Sequence, residues 1–293
     1  MKNAKGIFPA LLTPFCANGD INENALGDLI EHALKLGADG FYCCGSTAEV
    51  FMLSDDERRA LMRMCIDAAD GRCTLFAHVG AVSTREAVSL ARYAEKLGYD
   101  AVSAVAPFYY KFSPKEIAEH YKAIADAVDL PVIVYNIPAL SGVSLGLDGL
   151  SELLADGRFM GVKHTSLDLF ELETLKSRFP DKIIYNGYDE MFLPGLSAGA
   201  DGGIGSTYNF AADKFVEIRR CFNSGNIAKA QAVQHEMNEI IRVLCKVGVT
   251  AGEKAVLRLL GIDMGECRRP FSPCSTEDIA LIEREIMPHI SVL

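Results

Sequence analysis

The pentapeptide Leu36-Gly-Ala-Asp-Gly40 returns twice, as Leu97-Gly-Tyr-Asp-Ala101 and Ala198-Gly-Ala-Asp-Gly202. Each copy follows an amphipathic stretch and precedes an apolar run. Glycine just past a helix end takes the left-handed conformation that stops the helix, and the aspartate closes the turn into a strand. Three copies of one helix-to-strand junction imply a repeated unit rather than a fortuitous turn. The chain has 293 residues, the length that one large barrel of such units takes.

The intervals fill consistently. Apolar strands are expected at Ile7–Leu12, Gly40–Cys44, Thr74–Val79, Ala101–Val105, Val132–Asn136, Gly161–Lys163, Ile183–Asn186 and Gly203–Gly205. Several are apolar without alternation, as parallel strands buried on both faces require. Helix starts are marked by Ser54-Asp-Asp-Glu57, Ser83-Thr-Arg-Glu86 and Ser113-Pro-Lys-Glu116, the first two shaped as capping boxes and the third with proline in the first turn. The expected fold is therefore a (β/α)8 TIM barrel. After Ala211 the strand signal stops, and Ala228–Val247, Gly252–Leu260 and Thr276–Met287 have helical patterns. The expected division is a catalytic barrel over residues 1–225 and a small C-terminal helical extension over 226–293, with no low-complexity linker between them.

Composition narrows the function. Apolar residues make up 49% and charged residues 23%, the balance of a soluble globular enzyme. With 29 Lys+Arg against 39 Asp+Glu the net charge is −10, which argues against nucleic acid or an anionic membrane surface as partner. The opening residues do not resemble a signal peptide, and no run of about twenty apolar residues occurs. The 9 cysteines lack CxxC spacing and the 6 histidines lack ligand spacing, so neither a disulfide scaffold nor a metal site is expected. His78, after a strand, is expected to be a core or loop-anchoring histidine. The expected setting is the cytoplasm.

In a barrel of this kind the chemistry sits where strands end. Lysines are mostly exposed, yet Lys163 terminates a buried strand in Met160-Gly-Val-Lys-His-Thr-Ser166. An amine in an apolar mouth loses charge stabilisation, and the neutral form can attack a carbonyl carbon. Tyr135 ends the neighbouring strand, where it is either packing or a proton shuttle for such an amine. Gly45-Ser-Thr-Ala-Glu49 offers two hydroxyls and backbone N–H groups, either to an anion such as a carboxylate or merely to its own turn. Asp189 and Glu190 follow the seventh strand, as a glycosidase pair, as first-turn acids favoured by the helix dipole, or as acceptors for polyol hydroxyls. Gly202-Gly-Ile-Gly-Ser-Thr-Tyr-Asn209 is a glycine-rich turn without Walker spacing.

These strand-end segments, in this order, resemble the N-acetylneuraminate lyase/dihydrodipicolinate synthase family of class I aldolases. The likeness runs from Gly6-Ile-Phe-Pro-Ala-Leu-Leu-Thr-Pro-Phe15 to Arg269-Pro-Phe271. It is dense in Ala77–Gly80, Asp100–Val105, Pro107–Tyr110, Tyr135–Gly142, Lys163–Ser166 and Gly199–Asn209. The resemblance implies that Lys163 forms an imine with the keto carbon of pyruvate or of an open-chain sialic acid. It implies Tyr135 as proton shuttle, and Ser46 and Thr47 as holders of the pyruvate carboxylate. Thr165, Gly187, Asp189, Glu190 and Ser206 would line the sugar end, with no metal and no cofactor. Tyr109 resembles the tyrosine that family members pass across a subunit interface, and a homotetramer is the family's usual assembly.

Within the family, synthase members carry an Arg after the fifth strand to hold a second carboxylate. Here Leu140 stands in that place, within Pro138-Ala-Leu-Ser-Gly142. A lost charge-assisted bond costs on the order of a few kcal/mol. The expectation is therefore reversible cleavage of a sialic acid to an N-acetylated amino sugar and pyruvate. The alternatives are another pyruvate-dependent sugar-acid lyase, a synthase-like enzyme, or a ligand-binding relative without turnover. The usual Gly-Gly-Ser-Thr-Gly-Glu of the family is Cys44-Gly-Ser-Thr-Ala-Glu49 here. Ala48 is expected to be tolerated, at roughly 1 kcal/mol if the position needs a positive φ.

Overall fold

The computed structural model describes residues 4–292. Strands run over Ile7–Pro9 (β1), Gly40–Cys43 (β2), Thr74–His78 (β3), Ala101–Val105 (β4), Val132–Asn136 (β5), Phe159–His164 (β6), Ile183–Asn186 (β7) and Gly202–Gly205 (β8). All eight expected strands are present. Their order in the sheet is β1-β8-β7-β6-β5-β4-β3-β2, and β3 to β8 pair in parallel register. The two ends of that order meet at a parallel bridge between Ala10 and Tyr42, where the Leu11 N–H donates to the Tyr42 carbonyl at 3.0 Å. The fold is a (β/α)8 TIM barrel. Every residue of β3, β4 and β5 is buried, as strands covered on both faces must be.

The contacts group the chain into two compact units, Met1–Gly6 with Cys73–Ile204 and Ile7–Arg72 with Gly205–Leu293. The first unit carries β3 to β7 and most of β8. The second carries β1, β2 and the helices Tyr208–Asn223, Ile227–Val247, Val249–Leu259 and Thr276–Glu285.

The repeated pentapeptide has a precise structural meaning. Gly37, Gly98 and Gly199 have φ of 91°, 88° and 101°, the left-handed conformation that turns the chain out of a helix. The aspartate two positions later then clips the new strand to the one before it. The Asp39 carboxylate accepts the Ile7 N–H at 2.9 Å, that of Asp100 accepts Leu75 N–H at 2.9 Å, and that of Asp201 accepts Ile184 N–H at 3.0 Å. In return, each aspartate's own N–H donates to the carbonyl of the same residue. The clip thus satisfies donor and acceptor at the start of a strand, where the ladder leaves both open.

Helix starts follow the hydroxyl caps. Ser54 and Ser113 form reciprocal capping boxes with Glu57 and Glu116, and Pro114 opens the second of these helices. The Ser83 hydroxyl accepts the Glu86 N–H at 3.2 Å. A further box, Ser275 with Asp278, opens the last helix with the shorter aspartate in place of a glutamate. No helix among the described residues is long and apolar enough to cross a membrane.

Candidate active site

Register brings the two reactive candidates of the first unit together. Tyr135 of β5 and Lys163 of β6 are paired across the ladder, so both side chains leave the sheet on the same face. The Lys163 Nζ lies 4.2 Å from the centre of the Tyr135 ring. Lys163 is only 4% exposed, and burial pulls its amine well below the ordinary lysine range, to about 7, against the opposing charge of Asp189. The amine is therefore substantially neutral near physiological pH. His78, at the end of β3, packs edge-on against Tyr135 with ring centres 5.9 Å apart. Its Nε2 accepts the N–H of Val105, the last residue of β4, at 3.2 Å, and its side chain is fully buried, so of the two expectations, core or loop-anchoring, it is the core histidine.

The loops after β6 and β7 add polar groups to this unit. Thr165 is buried, and its N–H donates to the Asn136 carbonyl at 2.8 Å while its hydroxyl has no hydrogen-bond partner among the described residues. Gly187 stands against it, and its N–H donates to the His164 carbonyl at 2.9 Å. A Cβ at Gly187 would lie 1.9 Å from the Thr165 Oγ1, so no side chain fits there without displacing the threonine. Asp189 is buried in a short turn and Glu190 beside it is half-buried. Tyr109 is 85% exposed with φ of 80°, and Leu140 is 74% exposed. Neither is packed into its own unit.

The second unit holds the remaining candidates. Ser46 and Thr47 are half-buried in a tight turn, Ser46–Ala48, just past β2. The turn is fixed by the Thr13 hydroxyl, which donates to the Ala48 carbonyl at 2.7 Å. Ala48 lies inside that right-handed turn, and the left-handed residues are its neighbours Cys44 and Glu49, with φ of 59° and 57°. The alanine at 48 thus carries no positive-φ cost, and the unusual conformation falls on Cys44 and Glu49. Ser206 follows β8, where its carbonyl accepts the side-chain amide of Asn209 at 2.7 Å.

Three features were not legible as a site. Asn136 and His164 are the next ladder pair after Tyr135 and Lys163, and so face the opposite side of the sheet. There the Asn136 amide donates to Glu171 at 3.1 Å, and His164 Nε2 lies 2.9 Å from the Asp168 carbonyl. Burial raises the Glu171 carboxyl and lowers the His164 imidazole, so both are pushed toward neutrality. The third is Glu49, whose carboxylate is completely buried against Lys254. No sequence spacing signals that pair. For Asn136 and His164 the only signal is their place one residue after each candidate.

The chain matches the dihydrodipicolinate synthetase family over residues 3–287. It is 45% identical over 284 residues to the N-acetylneuraminate lyase of Rhizobium meliloti (strain 1021), covering 97% of this chain and 95% of that one. A structure of CdNal from Clostridium difficile in complex with mannosamine superposes with a TM-score of 0.94 at 39% identity, covering 96% of this chain and 98% of that one. The N-acetylneuraminate lyase from Fusobacterium nucleatum, complexed with pyruvate, gives 0.91 at 38% identity over 96% of this chain and 97% of that one. The chain belongs to the dihydrodipicolinate synthetase family.

Proposed function

We propose that this protein is a class I aldolase, a carbon–carbon lyase that reversibly cleaves N-acetylneuraminate to N-acetylmannosamine and pyruvate. The observation that carries the reading is the buried Lys163 amine, held near neutrality at 4.2 Å from the Tyr135 ring. The family membership and the relatives named N-acetylneuraminate lyase support the same substrate.

Lys163 attacks the C2 ketone of the open-chain sugar acid, and loss of water leaves a protonated imine. Tyr135 takes the proton of the C4 hydroxyl as the C3–C4 bond breaks. That bond's electron pair flows into the imine to give an enamine, and C4 leaves as the aldehyde of N-acetylmannosamine. Protonation of the enamine at C3 and attack of water on the imine then release pyruvate and return the free amine. The iminium is the electron sink that the cleavage needs.

Ser46 and Thr47 hold the carboxylate in this reading. Thr165, Gly187, Asp189, Glu190 and Ser206 receive the sugar hydroxyls, and the unpartnered Thr165 hydroxyl supports a ligand at that end. Leu140 supplies no charge for a second carboxylate, which disfavours a synthase. The exposed Tyr109 suits a residue completed by a neighbouring subunit, and we place the protein in a homotetramer in the cytoplasm. Sodium borohydride with pyruvate should add a stable mass to the Lys163 peptide, and pyruvate should be released from N-acetylneuraminate. An unmodified peptide would sink the mechanism. Relative kcat/KM for N-acetylneuraminate and for 2-keto-3-deoxy sugar acids separates this reading from that of a sister lyase.

A further inference from the structure

Glu49 is the odd residue in its loop. It follows the Ser46–Ala48 turn with φ of 57°, a conformation that glycine takes freely and that costs another residue about 1 kcal/mol. Its carboxylate is spoken for on both oxygens. Oε1 lies 2.6 Å from the Lys254 Nζ, with the two side chains 0% and 1% exposed. Oε2 accepts the backbone N–H of Arg268 at 2.7 Å. Lys254 in turn donates to the Glu266 carbonyl at 3.3 Å and lies 4.4 Å from the centre of the Phe15 ring. Phe15 is itself tied to this segment, since its N–H donates to the Met264 carbonyl at 3.1 Å.

An ion pair taken wholly out of water is a poor source of stability, because apolar residues of the same volume often serve as well or better. Such a pair does give fixed direction: two charges and an N–H allow the carboxylate one position. Here that position determines where a left-handed residue sits, and the left-handed residue determines where the preceding turn ends. The Thr13 hydroxyl fixes the same turn from the other side, at the Ala48 carbonyl. We propose that Glu49 and Lys254 are positioning residues, through which the C-terminal helices set the Ser46–Thr47 hydroxyls for the carboxylate of pyruvate. The inference rests on the imine reading above and gives the helical extension a task in it. Neither residue touches substrate.

The test pairs two matched variants so that no buried charge is left alone. Glu49→Gln/Lys254→Met keeps the volumes, and Glu49→Gly/Lys254→Met also frees the backbone at 49. Ser275→Ala, which removes the cap of the last helix far along the chain, is the control for simple weakening of the extension. Each is read by thermal unfolding, by kcat, and by the pyruvate concentration that half-saturates borohydride trapping at Lys163. Both double variants should fold, raise that concentration about tenfold or more, and keep kcat at saturating N-acetylneuraminate within about threefold. Ser275→Ala should lower the melting temperature without moving the half-saturation. A folded double variant with wild-type half-saturation overturns the inference, as does an equal rise in Ser275→Ala. Wild-type protein that pyruvate and borohydride leave unlabelled overturns instead the imine reading beneath it.

Discussion

Position along a strand decides what each residue here can do. Tyr135 and Lys163 share one face of adjacent strands, and Asn136 and His164, one step on, share the other. The first pair carries the chemistry in the proposed reaction, and the second fastens the strands to the following helix through Glu171. Lys163→Ala should abolish turnover and borohydride labelling together. Tyr135→Phe should lower kcat by about a hundredfold, the usual size of a lost proton-transfer group, while pyruvate imine still forms. Full kcat in that variant would show that the tyrosine is packing. Gly187→Ala should push Thr165 aside, cutting kcat/KM for N-acetylneuraminate by at least about tenfold while leaving pyruvate trapping intact. Because burial brings the Lys163 amine to about 7, it is charged below that pH and neutral above it. Trapping should therefore rise through pH 7 and then level off. A rate still climbing near the ordinary lysine value of about 10.4 would mean an unburied amine.

Among the elements, the strands and helix starts were legible because their signals are local. A parallel strand buried on both faces needs an unbroken apolar run, and a cap needs a hydroxyl at its own helix. The aspartate of the pentapeptide was legible as a turn, but its partner in the preceding strand was not, since that bond spans a whole helix. The Glu49–Lys254 pair is more distant still, and nothing near Glu49 announces it. The family glycine at the position of Ala48 suggests a left-handed residue there, whereas the backbone turns at Cys44 and Glu49. Asp100→Ala would leave the buried start of β3 without an acceptor for Leu75. A loss of about 1–3 kcal/mol in urea unfolding is expected, and a loss within error would deny the clip any energetic role.

For the whole molecule, the pH response of stability follows from a few groups. Burial holds His120 at about 4, so it stays neutral in the folded chain while an unfolded histidine takes a proton near pH 6.5. As pH falls between those values the unfolded chain binds the extra proton and stability declines. Glu57 is held at about 2 by the Arg268 guanidinium, below the ordinary carboxylate value of about 4.3. Its contribution is complete above the ordinary value and disappears as pH falls toward 2. Melting temperature should thus fall in two acid stages, and His120→Asn should shrink the first, which His32 and His164 share because burial lowers their imidazoles as well. A first stage of unchanged size in that variant would assign it wholly to the other histidines. The net charge of −10 does not exclude an anionic substrate, because a carboxylate is held by groups within a few ångströms of it.

The aspartate clips have a further consequence. Asp39, Asp100 and Asp201 grip the strands at their starting ends, whereas every loop assigned to substrate leaves from the finishing ends. Folding instructions and substrate instructions are therefore written on opposite rims. The segment around Leu140 can be exchanged for one carrying a different charge without editing the clips. Descendants of such a chain can explore new sugar acids by loop replacement alone, while inheriting the same foundations.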